Sequence, residues 1–250
     1  MRTMAIAILL LLSASPALAD MESLEQFLRS AEAASQVTVP LRGDGRFDIT
    51  SPEALGSTPV AVIIRPPADM FIELGLGIKA QLLSPGEPAY LLKKDAAKAE
   101  TFPLDASFAE SDFTRQDLEP FRLSDFKDWR ISDDGLSDIT VTLFPKSSQY
   151  SLVVMTFDRE KKVPLKTLYY RETLNNLVKM RRDNDYVLVG RKWMPTVVSM
   201  ETFKLRTSAT FTFRWSQSPS FPPELFDPAF LPRPSGIVWP DAVAPPRAGG

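Results

Sequence analysis

Residues 187–215 read VLVGRKWMPTVVSMETFKLRTSATFTFRW, and this stretch decides the fold class of the chain. Its last nine residues alternate strictly, with Ala209, Phe211, Phe213 and Trp215 separated by hydroxyl-bearing or basic side chains. A side-chain period of two is typical of a half-buried antiparallel strand, because a helix would distribute the rings around its circumference. The aromatic face must therefore lie against something apolar, either an ordinary core or the wall of a cavity.

The first 19 residues have the pattern of a cleaved secretory signal and are set aside from the fold. Arg2 supplies a positive charge, Met4 to Leu12 form an apolar run of nine residues, and Ala17-Leu18-Ala19 is a small-x-small cleavage site. The run is shorter than the roughly 20 residues of a membrane-spanning helix, although an uncleaved N-terminal anchor is the alternative. We expect an exported protein with a single domain over residues 20–231 and a flexible Pro-rich tail over residues 232–250.

The composition disfavours several kinds of chemistry. The chain contains no Cys and no His, so it has no disulfide, no lipid-anchoring cysteine, and neither the commonest general base nor the commonest zinc ligand. Its net charge is −2, and the only basic cluster is Lys179 to Arg182, so we expect no nucleic-acid partner. Acids at 133–134 and 183–185 fall in predicted turns, where acids are usually solvated. No calcium loop, nucleophile elbow or phosphate-binding loop is present. We expect no catalytic residue, no cofactor and no metal.

Short β-type segments dominate the chain from Gln36 onward. In the first half they recur about every ten residues, and Gly43-Asp44-Gly45 is a predicted turn between two of them. Between Trp129 and Trp215 the segments are joined by short, hairpin-like links, among them Asp183-Asn184. Successive short links favour sequential antiparallel pairing, and a sheet of eight or more strands twists and curls.

Two segments, one before the strands and one between them, are predicted to cover the sheet. Residues 21–34 form an amphipathic helix. Its apolar stripe consists of Leu24, Phe27, Leu28 and Ala31. Residues 107–128 lack period-two alternation, and Ser111 and Ser124 are predicted N-caps of one or two short helices.

Three motifs in the second half resemble the LolA-like outer-membrane lipoprotein-sorting proteins. Residues 111–118, SDFTRQDL, resemble the family's S-D-F-x-x-x-D-L signature, and LKTLYY at 165–170 and WMPT at 193–196, with Met200-Glu201 beyond, are similar to later segments. The resemblance implies a mainly β (α+β) fold, namely an unclosed antiparallel β-barrel of about 11 strands with helices over its concave face. It also implies a periplasmic carrier or chaperone for lipids or lipoproteins.

An acyl chain held by such a fold would lie against the concave face, and strand phase predicts which side chains line it. The candidate cavity residues are Ile139, Val141, Leu152, Val154, Leu168, Met194, Val198, Met200, Phe211, Phe213 and Trp215. The candidate lid residues are Leu24, Phe27, Leu28, Phe113 and Leu118. The alternative is that the rings and helices complete a packed core.

Two classes of function stay open. A carrier would be a monomer that binds a lipid or lipoprotein acyl chain, contacts membranes transiently, and passes cargo from an inner-membrane transporter to an outer-membrane acceptor. An adaptor of an envelope transporter would act instead through protein–protein contacts at an exposed strand edge.

Overall fold

The computed structural model describes residues 16–51, 55–84, 87–218 and 221–239. Most of the predicted secretory signal, residues 1–15, and the end of the predicted tail, residues 240–250, lie outside these ranges. The helices are α1, Pro16–Ser35, and α2, Arg115–Leu118, with 3₁₀ turns at Leu123–Asp125, Pro223–Phe226 and Pro228–Phe230. The strands are β1 Leu41–Thr50, β2 Leu55–Arg65, β3 Asp69–Leu74, β4 Lys79–Leu82, β5 Tyr90–Leu92, β6 Glu100–Thr101, β7 Phe126–Asp134, β8 Asp138–Pro145, β9 Leu152–Asp158, β10 Pro164–Tyr170, β11 Leu177–Val189, β12 Lys192–Thr202 and β13 Thr207–Gln217. None of the described helices is long and apolar enough to cross a membrane.

All of these strands form one antiparallel sheet, in the order β6-β5-β4-β3-β2-β1-β13-β12-β11-β10-β9-β8-β7. Strand β13 pairs with β1 along its whole length, from Leu41 opposite Gln217 to Thr50 opposite Ser208. The alternating strand of the sequence therefore lies in the middle of the sheet and joins its two halves. Strands β6 and β7 end the order without pairing to each other, so the barrel is unclosed. The predicted architecture is confirmed, with 13 strands over the described residues in place of about 11.

Three predicted turns lie inside strands. Asp133 and Asp134 belong to the end of β7, where they pair with Thr140 and Ile139 of β8. Gly43-Asp44-Gly45 is part of β1, where a Cβ on Gly43 would lie 2.7 Å from the Trp215 ring and one on Gly45 would lie 1.7 Å from the Thr212 carbonyl oxygen. The glycines are needed because β13 and its rings approach β1 this closely. Asp183-Asn184 is likewise part of β11, because both residues pair with β12.

Helix α1 and residues 102–126 cover the concave face. Leu24 and Leu28 of α1 are buried, and Phe27 contacts Phe157 edge to face at 5.9 Å between centroids. Helix α2 begins after Thr114 and not at Ser111. The Ser111 hydroxyl instead donates to the Phe108 carbonyl at 2.6 Å and accepts from the Phe113 amide at 3.2 Å.

The later 3₁₀ turn also begins away from its predicted cap. It starts at Leu123 with Arg122 in the N-cap position, so Ser124 lies within it. Ser124 is therefore not an N-cap.

The C-terminal segment lies on the opposite, outer face of the sheet. Leu225 and Phe226 pack with Ile63 and Phe71 in a second apolar cluster. The Gln81 amide donates to the Leu225 and Asp227 carbonyls at 2.7 and 2.9 Å. Residues 232–239, assigned to a flexible tail by composition, stay in contact with the sheet: Lys79 Nζ donates to the Arg233 carbonyl, and Arg42 Nη2 donates to the Val238 carbonyl at 2.8 Å.

Candidate functional site

A cavity of about 430 Å³ lies between the concave face, the C-terminal half of α1 and residues 104–126. Its volume is in the range of about 300–1,000 Å³ that is typical of small-molecule sites. The sheet side is lined by apolar residues, among them Val62, Ile64, Ile72, Val153, Met155, Met194, Val198, Phe211, Phe213 and Trp215. The covering side includes Ala31, Ala34, Phe113, Leu118 and Phe121.

A row of aromatic rings forms one wall of the cavity. Phe211 stacks on Phe47 with 4.2 Å between centroids, and Phe213 lies 5.5 Å from Phe211 and 4.9 Å from Trp215. The Trp215 indole N–H donates to the Pro195 carbonyl at 2.7 Å. Because its polar atom is satisfied by the backbone, Trp215 presents an apolar ring to the cavity.

The structure brings together seven of the predicted site residues. Those that line the cavity are Met194, Val198, Phe211, Phe213, Trp215, Phe113 and Leu118. Val141, Met200 and Leu28 are fully buried in the packed core and do not line it. Ile139, Leu24 and Phe27 border a separate hollow of about 340 Å³ beside α1.

The strand phase predicted for β9 and β10 is wrong. Val154 is opposite Leu168, and Leu152 is opposite Tyr170, so these predicted residues share the outer face. Val153, Met155 and Tyr169 line the cavity in their place. Strand β9 is apolar on both faces, and alternation alone therefore could not fix its orientation.

A buried ionic network at one end of the cavity was missed by the sequence reasoning. Lys179 of β11 pairs with Asp117 of α2, and the two side chains are 3% and 0% exposed. The same Asp117 Oδ2 accepts from the Thr114 amide at 2.7 Å and from its hydroxyl at 2.8 Å. Lys179 also lies over the rings of Tyr150 and Tyr169, at 5.2 and 4.9 Å from their centroids. Burial lowers the pKa of Lys179, although Asp117 acts in the opposite direction.

A second ion pair lies beside the first on β11. Arg181 Nη2 and Nε donate to Asp183 at 2.6 and 2.9 Å, and Arg181 Nη1 donates to the Asp117 carbonyl. Burial raises the pKa of Asp183, against the lowering effect of Arg181. Because Asp117 belongs to the cover and the two cations belong to the sheet, these contacts fasten the cover to the sheet; we call Asp117, Lys179, Arg181 and Asp183 the latch.

The two aspartates of the SDFTRQDL motif have distinct contacts. Asp112 Oδ1 accepts from the Thr207 hydroxyl at 2.5 Å, which ties the cover to β13, and Asp117 forms the latch. Asp112 Oδ2 and Asp117 Oδ1 are buried without a hydrogen-bond partner among the described residues. The sequence did carry a signal for the latch, namely Lys179, Arg181 and Asp183 at a period of two on one face of a strand.

Cations also line the cavity beside α1. Lys192 Nζ donates to the Ala34 carbonyl at 2.7 Å, and burial lowers the pKa of this amine to about 8. Lys162 Nζ lies 4.3 Å from the Phe27 ring centroid. Over the described ranges, no group of three or more acidic side chains is placed to bind a metal ion.

Comparisons with known proteins bear on the fold. Residues 94–233, more than half of the chain, match a protein-family model described as "Uncharacterized protein". No curated protein matches the chain by sequence.

Three solved structures share the architecture over most of their length. A candidate outer membrane lipoprotein-sorting protein domain from Vibrio parahaemolyticus superposes with a TM-score of 0.75 at 12% identity, covering 83% of this chain and 97% of its own. A DUF1329 family protein from Desulfovibrio piger gives 0.71 at 14% identity, with 84% and 98% covered. A LolA superfamily protein from Nitrosomonas europaea gives 0.61 at 12% identity, with 81% and 96% covered. At such low identities the similarity establishes the fold, and the predicted LolA-like architecture is confirmed.

Proposed function

We propose that this chain, which belongs to the family whose model matches residues 94–233, is a periplasmic carrier or chaperone that binds an acyl chain in the cavity. The proposal is supported by its LolA-like unclosed barrel. The cargo would be a lipid or the lipid moiety of a lipoprotein destined for the outer membrane. A sorting role is consistent with the name of the Vibrio domain, which has the same fold at low identity.

One observation carries the proposal: the space between the sheet and its cover is an apolar cavity of about 430 Å³ and not a packed core. Each buried methylene contributes about 0.8 kcal/mol, so withdrawing a sixteen-carbon chain from water is worth on the order of 10 kcal/mol. Met155 and Met194 are flexible and polarizable, which suits a lining that must adapt to a mobile chain.

The test is to purify the protein from the periplasm of a Gram-negative host and to extract and identify its lipid by mass spectrometry. Val198→Trp would place an indole ring inside the cavity and reduce the space for an acyl chain, because Val198 lines it. Val197→Trp adds the same volume at the neighbouring position on the outer face. We expect the wild type and Val197→Trp to carry exchangeable lipid and Val198→Trp to lose it. Absence of lipid from the wild type, together with no uptake of added lipid, would contradict the proposal.

A second candidate, an adaptor that acts by protein–protein contact, is favoured by the free edge of the sheet. Strand β7 pairs with β8 on one side, and its other side meets no strand among the described residues. Ile131 on β7 is 38% exposed. Crosslinking in the periplasm separates the two functions, since a dominant protein adduct on β7 would favour the adaptor and a lipid adduct in the cavity the carrier.

A further inference from the structure

The acidic side chains that line the cavity have ion-pair partners, whereas several of the lysines that line it have none. Its four carboxylates all have a cationic partner within 4.0 Å: Asp117 with Lys179, Asp183 with Arg181, Glu119 with Arg115 and Arg122, and Asp125 with Arg122. In contrast, the lining lysines Lys146, Lys162 and Lys192 make no ion pair with any described residue. The cavity therefore has an excess of positive charge without a counter-ion among the described residues.

Two of these lysines, Lys162 and Lys192, contact residues of the same helix, α1. Lys192 Nζ donates to the Ala34 carbonyl at 2.7 Å and weakly to the Gln36 carbonyl at 3.5 Å, and Lys162 Nζ lies over the Phe27 ring. Residues 27 and 34 are two turns apart on α1, or about 10 Å along its axis. An ammonium group has three N–H donors. Lys162 uses none of its donors on a described acceptor, and Lys192 retains at least one.

Burial without a carboxylate partner disfavours the charged form of the Lys192 amine. Burial alone lowers the pKa of Lys192 to about 8, and no described carboxylate offsets that effect. A carboxylate or phosphate oxygen in contact with the ammonium would restore its charged form and satisfy its remaining donors. The third lysine, Lys146, is exposed on the β8–β9 link and needs no such partner.

Building on the proposed function, we propose that the cargo is an anionic lipid whose carboxylate or phosphate binds Lys192 at the α1 side of the cavity. The Lys162 side chain is flexible and makes no hydrogen bond to a described residue, so it turns from the Phe27 ring toward the same head group. The acyl chain of the lipid then extends along the wall formed by Phe211, Phe213 and Trp215. The lysines determine the choice of head group, and the apolar wall supplies most of the affinity.

Three ligands with the same chain length test this assignment: hexadecanol is neutral, palmitate carries a carboxylate, and palmitoyl lysophosphatidate carries a phosphate. Affinities for the wild-type protein are measured by displacement of a fluorescent fatty alcohol. A charge-assisted hydrogen bond contributes enough for at least about a tenfold preference, so both anions should bind at least about tenfold more tightly than hexadecanol. The tighter of the two anions identifies whether the head group is a carboxylate or a phosphate.

Substitutions of single lysines test which side chains cause the preference for anionic ligands over hexadecanol. Lys162→Met and Lys192→Met should each weaken palmitate binding about tenfold and change hexadecanol binding by less than about twofold. Lys166→Met is the matched control, because Lys166 is exposed on the outer face of β10, and it should leave both affinities unchanged. Lys192→Arg keeps the cation and should keep the preference for anions.

The outcomes separate this inference from the function on which it rests. Equal affinity of the wild type for hexadecanol and palmitate would overturn the anionic head group and leave the carrier in place, whereas failure of all three ligands to bind would overturn the carrier itself. If Lys192 only caps α1, Lys192→Met would weaken hexadecanol as much as palmitate, and Lys162→Met would weaken neither. That result would also overturn the inference.

Discussion

Replacing Lys179 with methionine should destabilise the protein by about 3–5 kcal/mol, because it leaves the Asp117 carboxylate buried without a counter-ion. The magnitude follows from the contacts of that carboxylate. Asp117 is 0% exposed, its Oδ1 has no described hydrogen-bond partner, and its Oδ2 would keep only the amide and hydroxyl of Thr114. Solvent therefore cannot screen the remaining charge, and two hydrogen bonds do not replace the lost ammonium.

The double variant Lys179→Met with Asp117→Asn should recover at least about 2 kcal/mol of that loss. Asparagine is neutral and nearly the same shape, and its carbonyl oxygen can accept both bonds from Thr114. Urea unfolding followed by circular dichroism gives the free energy of unfolding of the wild type, the two single variants and the double variant, from which the coupling energy is obtained.

Lys166→Met serves as the control for removal of an exposed lysine and should change stability by less than about 0.5 kcal/mol. A cost of less than about 1 kcal/mol for Lys179→Met, or simple additivity of the two single substitutions in the double variant, would contradict the expected coupling of Asp117 and Lys179. Either result would mean that Asp117 and Lys179 of the latch do not depend on each other for their stability in the buried site.

Three further results are expected. With a pKa of about 8, about half of the Lys192 amine is neutral at pH 8, whereas less than about 1% of an ordinary lysine amine is neutral at that pH. Limited acetylation should therefore modify Lys192 first, and peptide mass spectrometry identifies the modified residue. Random labelling across the lysines would contradict this. A brominated fatty acid should quench tryptophan fluorescence, and Trp215→Phe should remove more of that quenching than Trp129→Phe, because Trp215 lines the cavity and Trp129 does not. Equal losses would argue against the assigned wall. Gly45→Ala should lower the free energy of unfolding, measured with urea, by more than about 3 kcal/mol, because its Cβ would lie 1.7 Å from the backbone of β13. Gly56→Ala has open space around it and should change that free energy by less than about 0.5 kcal/mol. Similar effects at both glycines would contradict the close approach of the strands.

Local sequence pattern was sufficient for the elements whose two faces differ. The alternation in 207–215 predicted β13 and the side on which its rings lie, because the polar residues at 208, 210, 212 and 214 face away from the core. The apolar stripe of α1 was equally informative, since Leu24 and Leu28 are buried as predicted. In both elements the burial pattern and the sequence period carry the same information.

The local sequence pattern gave wrong predictions for a strand with two apolar faces, and for a segment whose conformation depends on contacts with a strand distant in the chain. Strand β9 has valines at 153 and 154, and nothing local decides which of them faces inward. The glycines of β1 look like a turn until the Trp215 ring is placed against them, and that ring is 172 residues away from Gly43 in the chain (215 minus 43). The period-two charges of β11 are a local signal for the sheet side of the latch, but no local signal identifies Asp117, 62 residues away, as the partner of Lys179.

The most direct test of acyl-chain binding in the cavity is photocrosslinking with a palmitate analogue that carries a diazirine near its methyl end, followed by peptide mass spectrometry. Adducts are predicted on residues of the inner wall, such as Met155, Val198 and Phe211. Adducts on the outer face, at Val154 or Leu168, or no adduct that excess unlabelled lipid can displace, would contradict the proposed carrier.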